Sequence, residues 1–181
     1  MFFEPTVGRT TTHSVNPRVE LVEILADGSD ASWSLVDGSI NTMKVTQRIM
    51  HVAAKFNSVT IAQVFDSDHG WFIEVQTRNI SSNAMGMYVM WTNHWNTTEK
   101  KQINLYKLAN YTLGTKYTLT INATSTNSTS YVHFLYEPEG ELSVPYDLIS
   151  GAQYNKIYFK TGTYVRNLLI LHNIIQNRLN I

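Results

Sequence analysis

The segment Tyr158-Phe-Lys-Thr-Gly-Thr-Tyr164 is the stretch that most restricts the fold. Read as a β-strand, it places residues two apart on the same side. Tyr158, Lys160, Tyr164 and Arg166 then share one face, provided that the strand passes through Gly162 without a bulge. Phenols and cations on one side of a strand indicate a sheet with one polar face and one face in the core.

Two other segments show the same two-residue alternation, Asn16-Pro-Arg-Val-Glu-Leu-Val-Glu23 and Val59-Thr-Ile-Ala-Gln-Val-Phe65. In the first of them, Val19 and Leu21 are predicted to face the core. Cations, an amide and phenols on one wall of a sheet would suit an acidic sugar. The residues that these two segments place on the polar side are Arg18, Glu20, Gln63 and Phe65.

Short alternating segments separated by turn-rich clusters continue along the chain, a pattern typical of a sandwich or barrel of antiparallel strands. Leu168–Leu179 fits a helical stripe nearly as well as a buried strand, and we favour a closing strand because an open sheet edge is a pairing hazard. The loop Thr124–Ser130 contains only Ser, Thr and Asn and predicts a hairpin connection. The predicted strands are Arg18–Ala26, Met43–Val52, Ser58–Phe65, Trp71–Arg78, Met85–Thr92, Lys101–Lys107, Lys116–Ala123, Tyr131–Tyr136, Glu141–Pro145, Lys156–Lys160 and Arg166–Gln176.

Composition indicates one domain over residues 1–181, with 43% hydrophobic residues to form its core. The absence of cysteine excludes a disulfide framework, a thiol nucleophile and a thiolate metal site. Fourteen basic and fourteen acidic residues cancel, which argues against nucleic acid or an anionic membrane as a partner. No apolar run is long enough for a membrane span. A polyanion would need a local basic patch, for which Lys156, Lys160 and Arg166 are candidates.

The first residues, Met1-Phe-Phe-Glu-Pro5, lack the charged and apolar regions of a signal peptide. Either a leader has been removed, in which case the protein is extracellular, or the protein is not exported by that route.

In order and spacing, the three segments resemble three motifs of the alginate lyases. Asn16–Glu23 resembles Arg-X-Glu-Leu, Val59–Phe65 resembles Gln-Ile/Val-His, and Tyr158–Tyr164 resembles Tyr-Phe-Lys-Ala-Gly-X-Tyr. Tyr117–Tyr136 is similar to the paired strands that precede the last motif. The resemblance implies an all-β fold, a concanavalin-like jelly-roll β-sandwich of antiparallel sheets with a concave substrate groove. It also implies a monomeric polysaccharide lyase that cleaves a uronate-containing polymer by β-elimination without a metal or redox cofactor.

The resemblance carries over the catalytic roles residue by residue. Arg18 matches the arginine that binds the uronate carboxylate, and a planar guanidinium suits that group. Gln63 would donate an amide hydrogen to the same carboxylate. Tyr164 matches the catalytic tyrosine, which can act as acid and, with its pKa lowered by nearby cations, as base.

Other residues of these motifs are predicted to bind substrate or to support the catalytic groups. Glu20 would hold Arg18 or Lys160 in place. Tyr158 and Lys160 are expected subsite contacts. Arg166 stands where the family often has glutamine, so its contact with substrate is a weaker expectation.

Phe65 departs from the motif, because the family places a histidine there and phenylalanine cannot take a proton. Either the reaction proceeds without that histidine, or His69, His51 or His13 replaces it, or catalysis has been lost. Without a second base, activity is expected on mannuronate- or glucuronate-type linkages.

Two other classes of function stay open. A non-catalytic carbohydrate-binding jelly roll would retain the scaffold without the base, and a structural or attachment protein could use the same sandwich. A glycosidase would need two carboxylates across a cleft, and Glu20 and Glu74 could be suggested, although their spacing does not favour them.

Overall fold

A computed structural model of the protein describes residues 18–35, 37–52, 57–68, 70–81, 84–92, 103–124, 131–137, 140–145 and 156–166, apart from the side chains at 92, 103, 145 and 164–166. The strands in these ranges are β1 Arg18–Val22, β2 Ile40–Gln47, β3 Ser58–Asp66, β4 Gly70–Ser81, β5 Ala84–Thr92, β6 Ile103–Tyr111, β7 Tyr117–Thr124, β8 Tyr131–Glu137, β9 Glu141–Pro145 and β10 Ile157–Arg166.

The strands form two antiparallel sheets. The larger sheet has the order β1-β10-β3-β4-β5-β6, and the smaller has the order β2-β7-β8-β9. This arrangement confirms the predicted all-β jelly-roll sandwich. No helix in the described part of the chain has the length and hydropathy needed to span a membrane.

The core lies between the two sheets, and strand alternation accounts for it. Residues of β7 are alternately buried and half-buried, as the two-residue period of a strand requires. Tyr117 of β7 packs edge-on against Tyr111 of β6, with ring centroids 5.4 Å apart, and so joins the smaller sheet to the larger. The most deeply buried apolar side chains include Phe72, Ile73, Val75, Met87 and Val89 of the larger sheet and Leu119, Ile121, Val132 and Phe134 of the smaller.

Strand β10 is longer than predicted, since it continues through Gly162 to Arg166 instead of ending at Lys160. The register with β3 shifts by one residue between Thr161 and Tyr164, so the strand does contain a bulge. Gly162 has a φ of 150°, and a Cβ there would collide with the carbonyl oxygen of Val19. Only glycine allows this conformation and this close approach of two backbones.

Two predicted placements were wrong. Leu21 is 58% exposed and does not face the core. Its strand, β1, lies at the margin of the larger sheet, which is wider than the sheet that covers it. The predicted strand Met43–Val52 ends early, because β2 stops at Gln47, and His51 lies beyond it as an exposed residue. Three predicted segments lie outside the described residues. They are the strand Arg166–Gln176 beyond its first residue, the segment Leu168–Leu179, and the loop Thr124–Ser130 beyond its first residue.

Candidate active site

The polar residues predicted from the motifs lie on one side of three adjacent strands, β1, β10 and β3. We call this side of the larger sheet, with its continuation onto β4, β5 and β6, the polar face. Arg18 is directly opposite Tyr164 across the β1–β10 ladder, and the register of that ladder is constant from there to Val22 and Lys160. Opposed residues of antiparallel strands project to the same side. Position 164 therefore neighbours Arg18.

Arg18 forms an ion pair with Glu20 of its own strand. The Nη1 atom of Arg18 is 3.6 Å from Oε2 of Glu20, and the two side chains are 24% and 7% exposed, respectively. The carboxylate is thus almost buried, while the guanidinium keeps part of its surface accessible. Holding a long arginine side chain in one position reduces the entropy that it would lose on binding an anion.

Lys160 lies opposite Gln63 on β3, and Tyr158 lies opposite Phe65. The Nζ atom of Lys160 is 3.5 Å from the centre of the Phe65 ring and 5.3 Å from that of Tyr158. The two rings are tilted against each other with centroids 5.4 Å apart. Phe65, at the position of the family histidine, therefore supports a cation through its ring face.

Burial shifts the pKa values of the groups in this cluster. The pKa of Lys160 is lowered by burial, an effect that nearby Glu20 opposes and Arg18 reinforces. The pKa of Tyr158 is raised by burial and by Asp30, Glu20 and Asp66, and Arg18 opposes that rise. Tyr158 therefore stays a neutral phenol near pH 7, suited to hydrogen bonding and stacking.

Gln63 belongs to a buried hydrogen-bond network that the sequence did not reveal. Its Nε2 donates to Oε1 of Glu74 at 2.8 Å. The other carboxylate oxygen, Oε2, accepts from Nε2 of Gln76 at 2.7 Å and from Oγ1 of Thr60 at 3.3 Å. All of these side chains are at most 2% exposed.

A second bulge brings this network together. The β3–β4 register shifts between Thr60 and Ala62, so Thr60 and Gln63 reach the same carboxylate although they are three residues apart. Uninterrupted alternation would place them on opposite faces. The signal for Glu74 was its alternation with Gln76 next to the apolar run of residues 71–73.

The polar face extends beyond the motif strands. One cross-strand row consists of Arg18, Tyr164, Thr60, Gln76, Tyr88 and Lys107. Near its far end, the guanidinium of Arg78 lies 5.7 Å from the centre of the Tyr88 ring. Burial lowers the pKa of Arg78. Cationic residues thus lie towards both ends of a row that crosses the whole sheet.

The expected basic patch of Lys156, Lys160 and Arg166 takes a different form. The Nζ atom of Lys156 contacts Oδ1 of Asp68 at 3.0 Å, and both side chains are more than half exposed. Lys160 is instead only 8% exposed. The side chains of Tyr164 and Arg166 lie outside the described residues, so their predicted contacts with substrate stay predictions.

Among the residues that the structure describes, no alternative histidine lies at the site. His51 is exposed beyond the end of β2. His69 and His13 lie outside the described residues. His133 is on the smaller sheet, where its Nδ1 is 2.9 Å from Oγ of Ser143. In the part of the chain that the structure describes, no group of three or more His, Cys, Asp or Glu residues could hold a metal ion.

Comparisons with known proteins identify the family. The family model described as alginate lyase matches residues 1–168. The chain therefore belongs to the alginate lyase family, a family of polysaccharide lyases. A comparison with curated proteins gave no significant match.

Solved structures of alginate lyases share the fold. The enzyme of Pseudomonas aeruginosa superposes with a TM-score of 0.70 at 17% identity over 87% of this chain and 68% of its own. A member of polysaccharide lyase family 7 is 28% identical, with a TM-score of 0.60 over 88% of this chain and 63% of its own. A family 7 alginate lyase solved with a bound product is 23% identical, with a TM-score of 0.66 over 90% of this chain and 69% of its own. The chain thus spans roughly two thirds of the length of these enzymes.

Proposed function

We propose that the protein cleaves a uronate-containing polysaccharide by β-elimination on the polar face. The observation that carries the proposal is the register that pairs Arg18 of β1 with Tyr164 of β10, the strand that also pairs with β3 and its Gln63. This register brings a carboxylate-binding cation next to the position of the family's acid–base tyrosine. Product bound to a family 7 alginate lyase of the same fold supports a uronate substrate.

In the proposed reaction, Arg18 and Gln63 bind the uronate carboxylate and so acidify the proton on the neighbouring C5. The phenolate of Tyr164 takes that proton. The C5–H electron pair becomes the C4–C5 double bond, and the bond from C4 to the glycosidic oxygen breaks. The phenol then returns the proton to the departing oxygen. Stabilisation of the developing negative charge on the carboxylate supplies the electrostatic part of catalysis.

Lys160 adds a second cation to this face. Its ammonium is held over Phe65 and lies opposite Gln63, so it can attract the same carboxylate or that of the next sugar. Arg78 and Lys107 extend the cationic character towards β6. A row of cations across the sheet suits a polymer with one carboxylate on every sugar.

Phe65 leads us to propose specificity for mannuronate- or glucuronate-type linkages. In these sugars, the C5 proton and the leaving oxygen lie on the same face of the ring, so one tyrosine can reach both. In guluronate the proton lies on the opposite face and requires a second base. Phe65 cannot supply one, and the neighbouring Lys160 has its nitrogen over the Phe65 ring.

The same substitution favours a second candidate, a carbohydrate-binding protein that has lost catalysis. A panel of polymannuronate, polyglucuronate and polyguluronate separates the two. Ultraviolet absorbance of unsaturated uronate products with the first two polymers supports the lyase. Saturable binding without product supports the binding protein. The absence of both binding and product would contradict both proposals.

A further inference from the structure

We propose that Glu74 is a positioning residue that fixes the orientation of the Gln63 amide for the reacting sugar. The inference rests on the proposed lyase function and adds a residue to it. Glu74 is fully buried beneath the polar face, on β4, and lies directly opposite Gln63. A carboxylate with no exposure is costly unless hydrogen bonds satisfy it, and here Gln63, Gln76 and Thr60 donate them.

The two carboxylate oxygens have separate partners. Gln76 and Thr60 donate to Oε2, and Nε2 of Gln76 also lies 3.3 Å from Oγ1 of Thr60. The two bonds to Oε2 anchor the carboxylate, one from its own strand and one from β3. Gln63 donates to Oε1. Thr60 is also opposite Tyr164, so the network links the strand positions of both the amide and the phenol.

An ionised carboxylate only accepts hydrogen bonds, so it requires the NH₂ end of Gln63 to face it. The carbonyl oxygen, Oε1 of Gln63, then points away from Glu74. That oxygen is buried and has no hydrogen-bond partner within the described part of the chain. A buried acceptor without a donor is unfavourable and indicates a ligand that supplies one.

The orientation suits a sugar that carries both a carboxylate and a hydroxyl. The second N–H of Gln63 can donate to the uronate carboxylate, and Oε1 can accept from a sugar hydroxyl. A flipped amide would present its groups in the reverse order and lose both contacts. Glu74 thereby selects one of two nearly isosteric orientations of Gln63.

A double-mutant cycle tests this role through kcat and KM on the polyuronate that the wild-type protein cleaves. Glu74→Gln removes the charge at constant shape and lets the amide of Gln63 flip. We expect kcat to fall at least about tenfold. We expect KM to change little, because removing a negative charge also favours an anionic substrate. In a Gln63→Ala background, Glu74→Gln should cause no further loss.

Independent, multiplying losses in the cycle, or wild-type kcat in Glu74→Gln, would overturn the inference. Glu141→Gln, an exposed glutamate on the smaller sheet, is the matched control. If Glu74→Gln does not fold, Glu74→Asp keeps the buried charge but shortens the reach to Gln63, and it should show the same loss. If the wild type cleaves no polyuronate, the lyase proposal fails. In that case the dissociation constant of an oligouronate is measured for the same four proteins of the cycle. If Glu74→Gln changes it by the same factor with Gln63 and with Gln63→Ala, the role of Glu74 is overturned.

Discussion

The ammonium of Lys160 lies 3.5 Å from the centre of the Phe65 ring, so the residue at the family's histidine position holds a cation and accepts no proton. The site is therefore not simply an alginate lyase site with one group missing. Phe65, Tyr158 and Lys160 form a packed unit, and Lys160 is opposite Gln63 in the β10–β3 ladder. Such a unit can bind a carboxylate, and in the proposed reaction proton transfer is assigned to Tyr164.

Replacing Arg18 with alanine should abolish most of the turnover without unfolding the protein. Arg18 is half-buried on the polar face, where it forms an ion pair with Glu20 of its own strand. Loss of a charge-assisted contact to the carboxylate costs about 2–3 kcal/mol, or roughly a hundredfold in rate. Initial rates on polymannuronate and the far-ultraviolet spectrum measure both effects. Lys44→Ala, on an exposed part of β2, is the control, and equal activities in the two variants would remove Arg18 from the site.

Tyr164→Phe should be as inactive as Arg18→Ala and should keep the wild-type spectrum. The substitution removes only the phenolic oxygen that takes and returns the proton, a role worth roughly 10²–10⁴ in rate. The dissociation constant for an oligouronate, measured by titration, should rise by a much smaller factor than the factor by which kcat falls. Tyr131→Phe, on an exposed position of the smaller sheet, controls for the loss of a hydroxyl. A fully active Tyr164→Phe would show that another group moves the proton.

Phe65→His should create activity on polyguluronate. The new imidazole would lie opposite Tyr158 and next to Lys160, whose charge lowers the pKa of a neighbouring histidine and keeps it neutral as a base. We expect polyguluronate cleavage to increase at least about tenfold over wild type. Phe65→Leu removes the ring without adding a base. If Phe65→His is no better than Phe65→Leu on this polymer, the explanation of specificity is wrong.

Gly162→Ala should destabilise the protein more than Gly28→Ala. Both glycines have positive φ, of 150° and 85°, so both substitutions strain the backbone. Only at Gly162 would the new Cβ also collide with backbone, that of Val19 and Glu20 on β1. At Gly162, strain and collision together should lower the free energy of unfolding by about 1–3 kcal/mol. Urea denaturation of the two variants measures the difference, and equal stabilities would contradict the close packing of β1 on β10.

Local alternation was enough to predict most of the fold. The strands β3, β5, β7, β8 and β9 begin and end within a residue or so of the predicted positions, because each has one apolar face and clear turn signals at its ends. The motifs also predicted Arg18, Gln63 and Lys160 on one wall of a sheet, and in the structure they lie on the neighbouring strands β1, β3 and β10 of the larger sheet.

The bulges and the buried network could not be predicted, because they depend on pairing between distant strands. A bulge at Ile61 lets Thr60 join Gln63 at Glu74, against the two-residue rule. A bulge near Gly162 changes the register of β10 with β3 and leaves its register with β1 intact. The exposure of Leu21 likewise depends on the width of the opposite sheet, which no local pattern contains.

The most direct test of the central claim is the mass and ultraviolet absorbance of the products that the wild-type protein releases from polymannuronate. Elimination predicts oligosaccharides with an absorbing C4–C5 double bond, each lighter by one water than the corresponding hydrolysis product. Their formation should be lost in Tyr164→Phe. Saturated products of hydrolysis, or intact polymer after prolonged incubation with polymannuronate and polyglucuronate, would contradict the assignment of this face as a lyase site.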